Sequence, residues 1–323
     1  MRILLLAAAI CIAAATADAR DAEGRLSTIL APSSTQPAIV VRGDALSVLL
    51  REDAALRLES SAGSFELTQS SSQTRRGVRA IRATFPPTVS VGAYTLVATS
   101  AGGDDRNFRA VFVLDAPPEE YRVAVWNNPR VSADPQSPDT ALFRVTAEIN
   151  AGRPALVLVT GDLTASGSPG QFRLALELLN DCTAPTLVAP GPADATAGHA
   201  QDYLGDYPVA VPFGSDGYLL CSTPAWDLGG EDGRLHLERR RIRAARWSVG
   251  VGCNVDSGDL RTQLAIFVDD PLDAVVGAIG GTPGRTSPWG PTSIFTTSES
   301  RGALEWFTAS ARPIVPDVTG SVP

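Results

Sequence analysis

The sequence predicts a two-part chain: an all-β sandwich, then an α/β sandwich of two mixed sheets flanked by helices. Three observations predict it. Between residues 38 and 116, short runs of alternating apolar and polar residues are separated by Gly, Pro, Ser and Asp clusters, with no helical period. From Tyr121 onward, wholly apolar runs alternate with amphipathic segments of helical period, the pattern of buried parallel strands and their crossovers. Between the two patterns, Ala116-Pro117-Pro118-Glu119-Glu120 fits neither and reads as a hinge.

Composition bounds the reading first. The chain has 323 residues, enough for two ordinary domains, with 44% hydrophobic and 19% charged residues, as globular structure requires. The formal net charge is −8, which argues against nucleic acid or an anionic membrane as partner, since both need a basic face. All 27 basic residues are arginine, which we read as compositional bias rather than mechanism.

Residues 1–19 read as a signal peptide. Arg2 is followed by the apolar run ILLLAAAICIAAA, too short to span a bilayer comfortably, and Ala17-Asp18-Ala19 fits a cleavage site before Arg20. The mature chain is therefore expected to be exported, to the periplasm or outside the cell, without a membrane span. Residues 20–37 are polar and mixed, and read as a linker. Export permits disulfides; Cys182, Cys221 and Cys253 allow at most one internal bridge, and the favoured reading is buried thiols.

In the first domain, 38–116, the strand-like runs are AIVVRGDALSVLL, LRLESSAGSFELT, VRAIRATF, GAYTLVATS and FRAVFVLD. In the second, 119–310, YRVAVWNN (121–128) is a buried strand and SPDTALFRVTAEINAG (137–152) a helix. That helix has Leu142, Val145 and Ile149 on one face and Gly152 suited to its C-terminal cap. PALVLVTGD (154–162) is the second strand. Ser168-Pro169 opens a helix to about residue 181 that buries Phe172, Leu176 and Leu179, and APTLVAPG (184–191) is the third strand. In a right-handed β-α-β-α-β frame, sites lie at the carboxyl ends of the strands, where Asn128, Asp162 and Gly191 fall. Further strands are expected at 217–223, 246–252, 272–281, 293–299 and 302–309, and helices at about 230–244 and 258–269. Residues 311–323 are expected to be a loose tail.

Order and spacing over 119–310 resemble the calcineurin-like metallophosphoesterases. VAVWNNPR looks like that family's first strand and Asp-x-His, and VTGDLTASG followed by QFRLALELL is similar to its second motif. TLVAPGPAD looks like the strand into Gly-Asn-His-Asp. The stretch AWDLGGEDGRLHLERRRIRAARWSVGVGCN resembles the approach to a Gly-His-His segment, and LDAVVGAIGG the approach to Gly-His-x-His. The upstream sandwich resembles the immunoglobulin-like domain that precedes some exported members.

The resemblance implies phosphoester hydrolysis by two metal ions roughly 3.5–4 Å apart, held by Asp, Asn and His side chains. The matching positions are depleted. Asn128 and Arg130 stand in the first motif, and Asp162, the position of the metal-bridging carboxylate, in the second. Pro192, Ala193 and Asp194 stand in the third, Cys253 and Asn254 in the fourth, and Gly277, Ala278, Ile279, Gly280 or Gly281 in the last. The chain's two histidines, His199 and His236, fall outside these positions and read as surface or structural residues.

The resulting expectation is a degenerate member acting as a binding or scaffold module, with no catalytic residue and no cofactor. Its partner would be a protein or a small-molecule anion. The alternatives are a phosphoric ester hydrolase with a reduced metal site, and an anion-binding protein that uses the vestigial pocket. Any residual metal would be a single divalent ion on Asp162, Cys253 and Asn128, with Cys253 making the site soft. A half-buried carboxylate deprived of metal needs another partner or takes up a proton. Arg130 is expected to supply that partner to Asp162; the competing reading points Arg130 to solvent.

Overall fold

The structure is a computed structural model and describes residues 27–75, 77–132, 140–222, 232–252, 274–279, 292–297, 304–309 and 315–316. The signal-peptide reading of 1–19, the helix expected at 258–269, Cys253, Asn254, Gly280 and Gly281 lie outside these residues.

The first part comprises β1 (Ile29–Ala31), β2 (Ala38–Val41), β3 (Ala45–Leu50), β4 (Ala55–Ser60), β5 (Gly63–Glu66), β6 (Thr68–Arg75), β7 (Val78–Thr84), β8 (Gly92–Ser100) and β9 (Gly103–Leu114). A four-stranded sheet of order β1-β3-β7-β6 faces a five-stranded sheet of order β2-β9-β8-β4-β5. Period-2 alternation buries one face of each. Leu46, Val48, Leu50, Ile81 and Ala83 meet Leu56, Leu58, Tyr94, Leu96 and Val111 in one core. Two runs that read as single strands are hairpins or sheet switches: AIVVRGDALSVLL divides into β2 and β3, and LRLESSAGSFELT into β4 and β5.

The α/β part follows with β10 (Tyr121–Asn127), α1 (Thr140–Gly152), β11 (Leu156–Gly161), α2 (Pro169–Asn180), β12 (Thr186–Pro190), α3 (Pro192–Ala195) and α4 (Ala200–Leu204). Then come β13 (Val209–Phe213), β14 (Asp216–Leu220), α5 (Asp232–Arg241), β15 (Ser248–Gly252), β16 (Ala274–Ile279), β17 (Thr292–Thr297), β18 (Leu304–Ala309) and β19 (Val315–Pro316). Its sheets run β12-β11-β10-β18-β19 and β13-β14-β15-β16-β17. β10, β11 and β12 are mutually parallel, so the continuous apolar runs become strands covered on both faces. β18 returns antiparallel beside β10. One apolar core, including Val123, Val125, Leu158, Phe172, Leu187, Tyr218, Val249 and Phe307, spans both sheets and the helices.

The two sheets are also joined by a buried polar cluster at the start of β10 and β14. The Asp216 carboxylate accepts a fork from Arg246, Nε to Oδ1 at 2.9 Å and Nη2 to Oδ2 at 2.7 Å. Tyr121 Oη donates to Asp216 Oδ2 at 2.7 Å and lies 2.8 Å from Tyr218 Oη. Burial, foremost, raises the pKa of both phenols.

Several boundaries need correction. The linker expected at 20–37 contains β1, which pairs with β3. Residues 33–36 then dock on the α/β part: Val188 N donates to Thr35 O at 3.1 Å, and Gln36 Nε2 donates to Leu204 O at 2.9 Å and Asp206 O at 3.1 Å. Polar composition suggested a tether, but here it satisfies the outer edge of β12. Within the supposed hinge, Glu119 O accepts from Arg246 Nη1 at 2.6 Å. In the supposed tail, Val315 and Pro316 pair with β18.

Gly152 has a different role from the expected cap. It is the last residue of α1, and a Cβ there would come within 2.1 Å of the Trp306 ring. The left-handed residue after the helix is Arg153, at φ +48°. Glycine is needed at 152 for the indole's close approach. In α2 the fully buried residues are Phe172, Ala175, Leu178 and Leu179, with Leu176 packed at the margin.

Candidate functional site

The site lies at the carboxyl ends of β10, β11 and β12. The parallel ladder between β10 and β11 continues beyond the strands. Asn128 N donates to Thr160 O, Arg130 N to Asp162 O and Val131 N to Leu163 O, each at 2.9 Å. Asn128 and Arg130 hold this path in the left-handed region, at φ +42° and +48°. That region is uncommon for a side chain as large as arginine. Pro129, which has no N–H to pair, separates them.

Asp162 is buried, and both its oxygens are engaged. Oδ2 accepts from Arg130 Nε at 3.2 Å and Nη2 at 2.9 Å. Oδ1 accepts from Ala193 N at 2.9 Å. The guanidinium therefore places two nitrogens on one oxygen instead of matching both, because the N–H of α3 occupies the other. The Arg130 side chain is 52% exposed and that of Asp162 8%, so the guanidinium stands on the solvent side of a buried carboxylate. Asn128 Oδ1 is turned to the backbone and accepts from Asp162 N at 3.1 Å.

Asp194 faces away from this pair. It is wholly buried. Its Oδ2 accepts from Leu163 N at 3.0 Å and Gly191 N at 2.9 Å; Oδ1 accepts from Thr164 N and Thr164 Oγ1, both at 2.7 Å. The carboxylate thus fastens the loop after β11 to the turn after β12. Burial pushes its pKa up to about 6, against these four donors. Gly191 permits the two turns to touch, since a Cβ there would lie 2.3 Å from Asp162 Oδ1.

Sequence reasoning brought Asn128, Arg130, Asp162, Ala193 and Asp194 to one place, and the structure brings them together. It missed Thr164 and the main-chain role of Ala193. The only sequence signal for Thr164 was a hydroxyl two residues after Asp162. Pro192 begins α3 and offers no donor or acceptor side chain. His199 stands ahead of α4 with Nδ1 3.5 Å from Asp202 Oδ2, on a 43% exposed side chain. His236 lies on α5, and its side chain is outside the described residues, as are those of Gly277, Ala278 and Ile279. Cys182 and Cys221 are separate, buried thiols, pushed up by burial to about 11 and about 12.

These residues do not fit a two-metal centre. A bridging carboxylate must turn its lone pairs to the metals, yet Asp162 spends them on a guanidinium and a main-chain N–H. Asn128 directs its oxygen to the backbone, Asp194 directs both of its oxygens into the loops, and Pro192 and Ala193 carry no ligand atom. Among the described residues no three His, Cys, Asp or Glu side chains gather as a metal-holding group. Among them also, no helix is long and apolar enough to cross a membrane.

No family model and no curated protein matches the sequence. Among solved structures, the chain is similar to purple acid phosphatase PPD1 from yellow lupin (Lupinus luteus) seeds. That likeness has a TM-score of 0.47 and 10% identity, over 82% of this chain and 68% of the other. A putative α-galactosidase/melibiase from Bacteroides fragilis is similar at TM-score 0.24 and 13% identity, over 75% and 56%. An immunoglobulin domain complex of titin M10 and obscurin-like 1 is similar at TM-score 0.18 and 19% identity, over 25% and 89%. Likenesses this distant assign neither family nor activity.

Proposed function

We propose that this chain is an exported, metallophosphoesterase-like protein that has exchanged its metal site for an ion pair. It would act as a non-catalytic binding or scaffold module, with an immunoglobulin-like domain in front. The observation that carries the reading is the engagement of both Asp162 oxygens by Arg130 and Ala193 N. The motif order along 119–310 supplies the family resemblance, and the N-terminal sequence supplies the export. The guanidinium carries the positive charge that the resemblance would assign to a metal ion beside the bridging carboxylate.

The test is the metal content of the purified mature chain, by plasma mass spectrometry, together with hydrolysis of a chromogenic phosphomonoester and phosphodiester in added manganese. Substoichiometric metal and no turnover are expected. Stoichiometric metal with turnover that Asp162→Ala abolishes would overturn the reading in favour of a hydrolase with a reduced site. A second reading, a small-anion site, is favoured by the 52% exposure of the Arg130 side chain at the pocket mouth. Calorimetric titration with inorganic phosphate, comparing the native chain with Arg130→Ala, separates it from the first.

A further inference from the structure

β6 differs from every other strand of its sandwich. Its residues Thr68-Gln69-Ser70-Ser71-Ser72-Gln73-Thr74 are all exposed, although alternate positions of a sandwich strand normally face the core. It is the last strand of the β1-β3-β7-β6 sheet, and among the described residues no strand pairs with its outer side. An edge of this length is normally guarded by Lys, Pro, an inward charge or a bulge. Thr68 to Thr74 contain no Lys, Pro or charge, and their one irregularity is the register shift between Gln69 and Ser71. Several of the side chains are directed back into their own domain: Gln69 Nε2 donates to Ala54 O and Ser70 Oγ to Arg82 O, both at 2.9 Å. The outer main-chain groups are left for another strand.

The segment is also a palindrome about Ser71, followed by two basic residues, Arg75 and Arg76. We propose that β6 is a self-pairing edge, through which two copies of this chain associate by antiparallel β6–β6 pairing about a two-fold axis at Ser71. In that register Thr68 faces Thr74 of the second copy, Gln69 faces Gln73, Ser70 faces Ser72, and Ser71 faces itself. Like pairs Thr with Thr and Ser with Ser, and Gln beside Gln, form cross-strand hydrogen bonds, and no like charges are opposed. In this register Arg75 of each copy falls opposite Leu67 of the other, whereas a parallel in-register partner would set Arg75 beside Arg75. For a chain of net charge −8, this neutral edge is a place where two copies can meet without general repulsion. The contact is isologous and closes on itself.

The register shift between Gln69 and Ser71 bends the strand and interrupts the ladder beside the axis, so regular pairing is left to the residues on either side of it. A single short edge falls below the roughly 1,200 Å² of stable interfaces, so the dimer is weak and reversible. This contact is independent of the pocket chemistry.

Sedimentation velocity of the mature chain, from about 1 to several hundred μM, reads the association in the range of weak complexes. Concentration-dependent dimer is expected, and Ser71→Lys, which opposes like charges at the axis on an exposed position, is expected to weaken it about tenfold or more. Circular dichroism confirms that the variant is folded. Ser71→Cys is expected to form a covalent dimer under mild oxidation beyond the level of the native chain. Thr74→Cys is expected to do so only when mixed with Thr68→Cys. A monomer throughout the range, a dimer indifferent to Ser71→Lys, or Thr74→Cys linking to itself as readily as Ser71→Cys would overturn the proposal.

Discussion

Arg130 sets Nε and Nη2 on the same oxygen of Asp162, 3.2 and 2.9 Å away, while Ala193 N holds the other. An ammonium cannot place two fixed donors on one point in this way. Arg130→Ala is expected to lower stability by about 1 kcal/mol in urea unfolding, a value kept small because the arginine is half-exposed. Arg130→Lys should restore less than half of that loss. A double-mutant cycle with Asp162→Asn should show coupling of about the same size.

Asp194 gives the stability a pH dependence of definite sign. Its folded pKa, about 6, lies above the ordinary carboxylate value, so the folded state holds this proton more tightly than the unfolded chain. The stabilisation is fully present below about pH 4 and is lost as pH rises through about 6, a swing of ~3 kcal/mol. Denaturant unfolding of the native chain and of Asp194→Asn between these limits should differ by this slope. The variant should also be less stable throughout, because an amide cannot accept from all four donors.

The Asp216 carboxylate is buried and held by Arg246 and Tyr121. Arg246→Ala leaves it without its countercharge and is expected to cost about 3 kcal/mol. Tyr121→Phe removes one donor and should cost about 1–2 kcal/mol. Thermal unfolding of the two variants checks the order.

Gly152→Ala drives a methyl group into the Trp306 ring, which would be 2.1 Å away. A loss of about 1–3 kcal/mol is expected, with a change in the near-ultraviolet signal of Trp306. At a helix cap requiring the left-handed conformation the same change would cost stability without disturbing the indole, so the spectrum distinguishes the two roles.

Cys182 and Cys221 are buried, with thiols pushed up to about 11 and 12. Neither should label with an aromatic disulfide in the native chain at pH 8, and both should label in denaturant. Site-resolved peptide mass spectrometry reads the two positions separately.

The β-α-β-α-β frame was legible because Leu156–Gly161 and Thr186–Pro190 are apolar without alternation, which only strands covered on both faces tolerate. The meeting of Arg130 with Asp162 was legible from their places at adjacent strand ends. The function of Asp194 was not, since a carboxylate that holds a loop and one that holds a metal look alike in sequence. Gly152 was misread for a similar reason: a glycine after an amphipathic run suits a cap, and nothing local reveals an indole arriving from β18. β6 went unread as a strand because its residues do not alternate in polarity, and its pairing with β7 rests on neighbours rather than on its own pattern.

The docking of residues 33–36 also bears on the order in which the chain can assemble. Gln36 donates to Leu204 O across 168 residues of sequence. During synthesis the first sandwich can be completed once β9 has emerged, but its N-terminal segment has no place to settle until β12 and α4 have followed. Residues 33–36 are therefore made before, yet settle after, the elements they dock on, and they close the assembly rather than starting it.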